Sequence, residues 1–345
     1  MDNRMANGRT TMNITRPLFA ALLLLSGLAL SAAAADQTPA PAAPATAPAA
    51  AAPEAAPEPP GQGTQYTEKG ADTCLTCHVE GGDFPVYAIF KSKHGVRADK
   101  RTPFAPGNLQ CEACHGPGAK HAASGDKNAI NNMEADSFLT PQQRNKFCLA
   151  CHQGKARIAW QGSVHESNNL ACTDCHQIHA EHDPVLATAT QPDVCYKCHK
   201  QQRMDFSKPS AHPVRSGKMA CSDCHSPHGS NHDALLAKPT VNQLCYTCHA
   251  EKRGPFLWEH APVAEDCTLC HSPHGTVRPT LLKKSPPLLC QQCHTVAGHP
   301  SVARTGAALP GGGAGGSAFL LAGSCINCHS EIHGSNNPSG VKLMR

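Results

Sequence analysis

All twenty cysteines of the chain fall in ten copies of Cys-x-x-Cys-His. The first copy is Cys74-Leu75-Thr76-Cys77-His78. The others carry the cysteine pairs Cys111 and Cys114, Cys148 and Cys151, Cys172 and Cys175, Cys195 and Cys198, Cys221 and Cys224, Cys245 and Cys248, Cys267 and Cys270, Cys290 and Cys293, and Cys325 and Cys328. They are followed by His115, His152, His176, His199, His225, His249, His271, His294 and His329. Two thiols and an imidazole at this spacing form the attachment signature of c-type haem: the thiols make thioethers to the porphyrin and the histidine binds the iron. A zinc ribbon needs no histidine after every second cysteine. A disulfide framework imposes no such spacing. The sequence therefore predicts ten haem c groups.

The copies are unevenly spaced but fall into pairs. Module starts at Cys148, Cys195, Cys245 and Cys290 are 47, 50 and 45 residues apart. Offsets within a pair are 37, 24, 26, 22 and 35, so the terminal modules are stretched, as in many repeat arrays. Five two-haem modules result, spanning about 70–125, 146–182, 193–232, 243–276 and 288–335, inside a domain covering 64–345. The stretch from Cys74 to His333 supplies only 26 residues per haem. That is too little chain to build a protein core around each group. With 4% aromatic residues, 28 glycines and 29 prolines, long helices are disfavoured and the haems must supply much of the interior. The expected fold is a multihaem cytochrome c of loops and short helical turns at the motifs, with little sheet. Modules touching mainly their neighbours predict an elongated rod. Gly311 to Gly316 reads as a loop.

Residues 1–35 read as a secretory signal peptide: Arg4, Arg9 and Arg16, an apolar run from Leu18 to Leu30, and the small residues Ser31 to Ala35. The run is short for a membrane span. Residues 36–63 are rich in Ala, Pro, Thr, Glu and Gly and cannot bury enough apolar surface to offset their ordering entropy, so a disordered linker is expected. Export to the periplasm fits covalent haem attachment.

Twelve of the 22 histidines lie outside the motifs. One set follows the first motif of each module: His94, His165, His212, His260 and His299. A second set closely follows the second motif: His121, His179, His228, His274 and His333. Within the second set, Cys224-His225-Ser226-Pro227-His228-Gly229 and Cys270-His271-Ser272-Pro273-His274-Gly275 are the same string. Ten candidate distal ligands thus match ten irons, leaving His182 and His232 as surface residues. Methionine is a weak rival, since Met133, Met204, Met219 and Met344 follow no module pattern. His228 lies three residues beyond His225, a reach of about 10 Å. That is too short to pass comfortably around one haem. His228 is therefore expected to reach another haem, most simply the one at Cys195 and Cys198, knitting each pair into a unit. His212 would serve the haem at Cys221 and Cys224 or its own module's first haem. The pairing as a whole stays open.

Two axial imidazoles close the iron to small substrates and favour lower potentials than His/Met ligation. The expectation is electron transfer through closely spaced haems. A multihaem reductase would need an open or unusually ligated haem, and no variant motif is present. A haem or metal store would not need a regular axial supply. The formal charge of +4 is misleading. Removing the leader leaves about +2, and ten haems, each with two propionates and roughly one positive charge at the ferric centre, bring the oxidised holoprotein to about −8. No nucleic-acid partner is expected.

These features resemble the MtrA/DmsE-type periplasmic decahaem c-type cytochromes, an outer-membrane electron conduit family, over about residues 66–340. The resemblance implies a rod-like bis-His haem wire inserted into an outer-membrane β-barrel protein, passing electrons between periplasmic and extracellular cytochromes or minerals. It implies that the ten motifs and the ten distal histidines above are the haem ligands. A freely diffusing periplasmic shuttle is the alternative.

Overall fold

The computed structural model describes residues 63–294 and 324–344. These lie within one compact unit, Pro57–Arg345. The expected leader, the expected linker up to residue 62, His299 and the glycine-rich segment lie outside the described residues.

The described chain is loop-rich and sheetless. Its helices are single turns or little more; the longest described is Pro141–Leu149. That helix starts where the sequence provides a full N-terminal cap. Thr140 Oγ1 accepts from the Gln143 N–H at 3.2 Å, Gln143 Oε1 accepts from the Thr140 N–H at 2.9 Å, and Pro141 occupies the first turn. It carries Cys148 in its last turn and delivers the motif directly. No helix among the described residues is long and apolar enough to cross a membrane.

Backbone pairing between strands is reduced to four isolated antiparallel bridges. Two are internal to a module, His225 with Leu236 and His271 with Leu282. The other two join successive modules, Ser210 with Thr276 and Trp258 with Ser335. In the first of these joints Ser210 and Thr276 exchange both N–H···O bonds, at 3.1 and 2.8 Å. In the second Trp258 and Ser335 do so at 2.9 Å each.

The apolar core is thin. Phe104, Leu139, Trp160, Val194, Tyr196 and Val214 are buried, but no large side chain among the described residues is completely sealed. Polypeptide this poor in buried apolar area cannot offset its own ordering entropy. None of the twenty cysteines is itself buried; all are intermediate or exposed.

Candidate haem-binding sites

Every Cys-x-x-Cys-His forms one helical turn, closed in the same way. The N–H of the motif histidine donates to the carbonyl of the first cysteine at 2.9–3.0 Å in all ten copies. Residues i, i+3 and i+4 share a face of a helical turn. Each copy therefore presents two thiols and an imidazole to one side. The first motif of a module sits at or near the end of a helix, as in Ala71–Cys74, Gln191–Cys195, Val241–Cys245 and Pro286–Cys290. The second motif makes its own turn, as in Glu112–His115, Cys172–Cys175 and Cys221–Asp223.

A buried asparagine clamps the two motifs of a module together. Asn145, 2% exposed, accepts from the Cys172 N–H at 2.7 Å and donates to the Leu170 carbonyl at 3.1 Å. Asn242 accepts from the Cys267 N–H at 2.8 Å and donates to the Val263 and Ala264 carbonyls. Each lies three residues before the first cysteine of its module. In the module between them Gln191 bonds Ser222 instead. Sequence reasoning missed these residues, although the shared Asn-x-x-Cys spacing was the available signal.

The thiols form a continuous series. The first cysteines of each module lie near enough to perturb one another. The neighbouring Cys74 thiol, then burial, pushes Cys111 up, while Cys74 is lowered to about 7. The Cys172 thiol, then burial, likewise raises Cys148, and Cys221, then burial, raises Cys195. Burial, then the charge of Cys267, pushes Cys245 up to about 12, and burial, then Cys325, pushes Cys290 up to about 11. Across module boundaries Cys114 feels Cys148 and Cys151, Cys175 feels Cys198, Cys224 feels Cys248, and Cys270 feels Cys293, in each case after a larger effect of burial. Motifs that are neighbours in sequence thus place their thiols near one another. None of the twenty cysteines is in a disulfide, and no cluster of three or more metal-ligating side chains occurs among the described residues.

Among the described residues, nine motif histidines face a second imidazole. The ring centroids are 6.2 Å apart for His78 and His121, 5.8 Å for His94 and His152, and 6.0 Å for His115 and His179. They are 6.2 Å apart for His165 and His199, 6.0 Å for His176 and His228, and 6.4 Å for His212 and His249. The remaining pairs are His225 with His274 at 6.0 Å, His260 with His294 at 6.1 Å and His271 with His333 at 6.1 Å. Two imidazoles on one metal, each bond about 2 Å long and each ring centre about 1 Å beyond its nitrogen, would stand about 6 Å apart. The residues therefore fit an iron held between them. Burial pushes His94, His179, His228, His260, His274 and His333 below the usual histidine pKa, favouring the neutral imidazole that a metal needs.

The pairing corrects the expectation that His228 stands by the haem at Cys195 and Cys198. His228 faces His176 of the preceding module, and His212 faces His249 of the following one. The same rule holds along the chain. A first-set histidine reaches forward one module and a second-set histidine reaches back one. The two reaching loops also clasp each other. His165 Nδ1 bonds the Pro227 carbonyl at 2.7 Å, and His212 Nδ1 bonds the Pro273 carbonyl at 2.7 Å. This gives the Ser-Pro-His-Gly strings their meaning. Gly229 (φ +113°) packs its backbone on the Ala159 carbonyl, and Gly275 (φ +140°) on that of Asp205, where a Cβ would collide. Among the described residues the exception to the rule is His121, which faces His78 of its own module. His182 is exposed and His232 partly so, and neither joins a ring pair.

Helical-turn attachment motifs facing second imidazoles, in a chain without sheet and nearly without its own core, define a multihaem c-type cytochrome. Comparison with known proteins narrows the class. The family described as "Doubled CXXCH motif" matches residues 212–254 and 260–299, "Cytochrome c-type protein NrfB-like" matches 111–191, and "Cytochrome c554 and c-prime" matches 45–116. The chain is 48% identical over 280 residues to the multihaem cytochrome MtrA of Shewanella baltica (strain OS185), covering 81% of this chain and 83% of that one. It belongs to the MtrA family of multihaem cytochromes, and is an electron-transfer protein binding haem c. A cytochrome c-type protein NrfB from Haemophilus influenzae is 26% identical over 124 residues, 33% of this chain and 54% of that one. Among solved structures, an undecahaem cytochrome from the S-layer of Carboxydothermus ferrireducens is 21% identical, covering 62% of this chain and 39% of that one, with a TM-score of 0.15.

Proposed function

We propose that the chain is a ten-haem relay whose modules are bound to one another by exchanged iron ligands. The reciprocal histidine pairing between successive modules is the observation that carries this reading. The thiols of each motif would hold one haem c, which supplies a one-electron iron couple when bound. The nine ring pairs would be the axial ligands of nine irons. His299 would pair with His329 at the last site, mirroring the way His121 turns back to His78 at the first. Each imidazole would bind through Nε2. Nδ1 is turned toward a protein acceptor at His115, His121, His165, His176, His212, His225, His271 and His329. Such second partners fix the ring and its tautomer. Occupied axial positions exclude substrate from the iron and leave outer-sphere electron transfer as the chemistry.

The relay would run through the attachment sites in sequence order, since thiols of consecutive sites lie beside one another. An exported chain (leader 1–35, linker 36–63) would work in the periplasm. Membership of the MtrA family supports docking into an outer-membrane β-barrel protein, with electrons passing between periplasmic and extracellular partners. The test is to co-express the chain with a haem-maturation system and a candidate barrel, then reconstitute both in liposomes enclosing a redox dye. Dye turnover by an external reductant should require barrel and cytochrome together. Equal turnover without the barrel, or none with it, would count against the conduit.

A further inference from the structure

The five second-motif histidines share one local problem: each Nδ1–H needs an acceptor behind the ring. Four of them find a backbone carbonyl. His115 uses Asn131 at 2.8 Å, His225 uses Ala234 at 2.8 Å, His271 uses Thr280 at 2.8 Å, and His329 uses Lys342 at 2.7 Å. In the last three modules that carbonyl belongs to a turn holding residues at positive φ: Ala234 and Leu235 (+51° and +55°), Thr280 and Leu281 (+55° and +61°), and Leu343 (+53°). Strained non-glycine backbone of this kind persists where surrounding structure demands it.

His176 is the exception. Its Nδ1 lies 2.7 Å from Oδ2 of Asp183. The corresponding turn, Pro184–Leu186, contains no positive φ. The carboxylate is only 12% exposed and the imidazole 26%. The other oxygen of Asp183 accepts from the backbone N–H groups of Gln177 and Val185, both at 3.3 Å, which fixes the carboxylate behind the ring. Sequence reading passed over Asp183 because it looks like an ordinary helix-capping residue, a role it also fills.

We propose that Asp183 is a positioning residue that tunes the haem attached at Cys172 and Cys175 to a lower reduction potential than the haems of the other second motifs. A carboxylate draws more strongly on an imidazole N–H than a neutral carbonyl does, since charge-assisted hydrogen bonds are about twice as strong. The ligand becomes more basic at its other nitrogen, and a more basic ligand favours the ferric over the ferrous state. The Nδ1 proton stays between His176 and Asp183 throughout; one electron is gained or lost at the iron, and no bond to the protein is made or broken. An electron travelling either way along the chain would meet a step at this fourth site. The inference rests on His176 and His228 being the axial ligands there.

The test compares wild-type holoprotein with Asp183→Asn, which removes the charge and leaves one acceptor oxygen, enough to cap the turn or to accept from the His176 Nδ1–H but not both. The readout is potentiometric titration followed by low-spin electron paramagnetic resonance. One haem in ten should change its oxidised-to-reduced ratio about tenfold at fixed potential, equivalent to about 59 mV for one electron, toward easier reduction. All haems should stay low-spin. Asp183→Ser, which also preserves a capping oxygen, provides a second route should the asparagine variant assemble poorly. Asp266→Asn is the control for loss of a nearby charge and cap without a ring contact: Asp266 caps the turn at Cys267 through Thr268 but bonds no imidazole, and should shift its haem much less than Asp183→Asn shifts the fourth. An unshifted Asp183→Asn would overturn the proposal. If His228→Ala in parallel still converts one haem to high-spin, the ligation reading survives that failure; if it converts none, the ligation reading itself fails.

Discussion

The rings of His228 and His176 are nearly parallel, with 8° between their planes and centroids 6.0 Å apart, although the two belong to different modules. The Gly229 turn beside Ala159 and the His165 bond to the Pro227 carbonyl hold the reaching loop in place. If an iron lies between these rings, His228→Ala opens one coordination position at the haem of Cys172 and Cys175. The reduced variant should bind about one carbon monoxide per chain. Adding Cys172→Ala and Cys175→Ala, which prevents attachment there, should abolish that binding. Adding Cys195→Ala and Cys198→Ala should leave it intact; the reverse pattern would restore the within-module pairing.

Gly229 has no freedom to carry a side chain. Its φ is +113°, and a Cβ would strike the Ala159 carbonyl. Gly229→Ala should destabilise the holoprotein by about 3 kcal/mol, from backbone strain plus overpacking. Gly81 also has a positive φ (+76°) but open space around it. Gly81→Ala should cost about 1 kcal/mol. Thermal unfolding followed at the Soret band compares them; equal losses would remove the close approach as a cause.

Much of this organisation was legible beforehand. The ten motifs and their short turns follow from spacing, because helical geometry acts within five residues, and four of the first-set and all five of the second-set histidines stand opposite a motif histidine. The partnering of His228 and His212 was not legible. It depends on backbone events far apart in sequence: the Ser210–Thr276 and Trp258–Ser335 bridges, and glycines pressed against a preceding module's carbonyls. A three-residue reach excluded His228 from its own haem but could not choose between the two neighbours. Asp183 and Asn145 were hidden for a different reason: polar residues in turns look alike until their acceptors are known.

Asn145 joins two motifs by hydrogen bonds to Leu170 and Cys172. Asn145→Ala leaves both part-buried backbone groups unpaired, at a cost of about 2 kcal/mol. Asn242→Ala should cost a similar amount, and the double variant should show additive losses because the residues serve different modules. Chemical denaturation of the four proteins measures this. Neither variant should alter the axial spectra, since neither asparagine touches an imidazole in the described structure.

The account stands on irons held between paired imidazoles along the whole chain. Near-infrared magnetic circular dichroism of the fully ferric holoprotein, normalised to chain concentration, reports axial ligand identity directly. The predicted spectrum has bis-imidazole intensity equivalent to ten low-spin haems per chain and no high-spin or methionine-ligated component. Intensity for clearly fewer than ten, or a high-spin band in the wild-type protein, would contradict the relay of exchanged histidines.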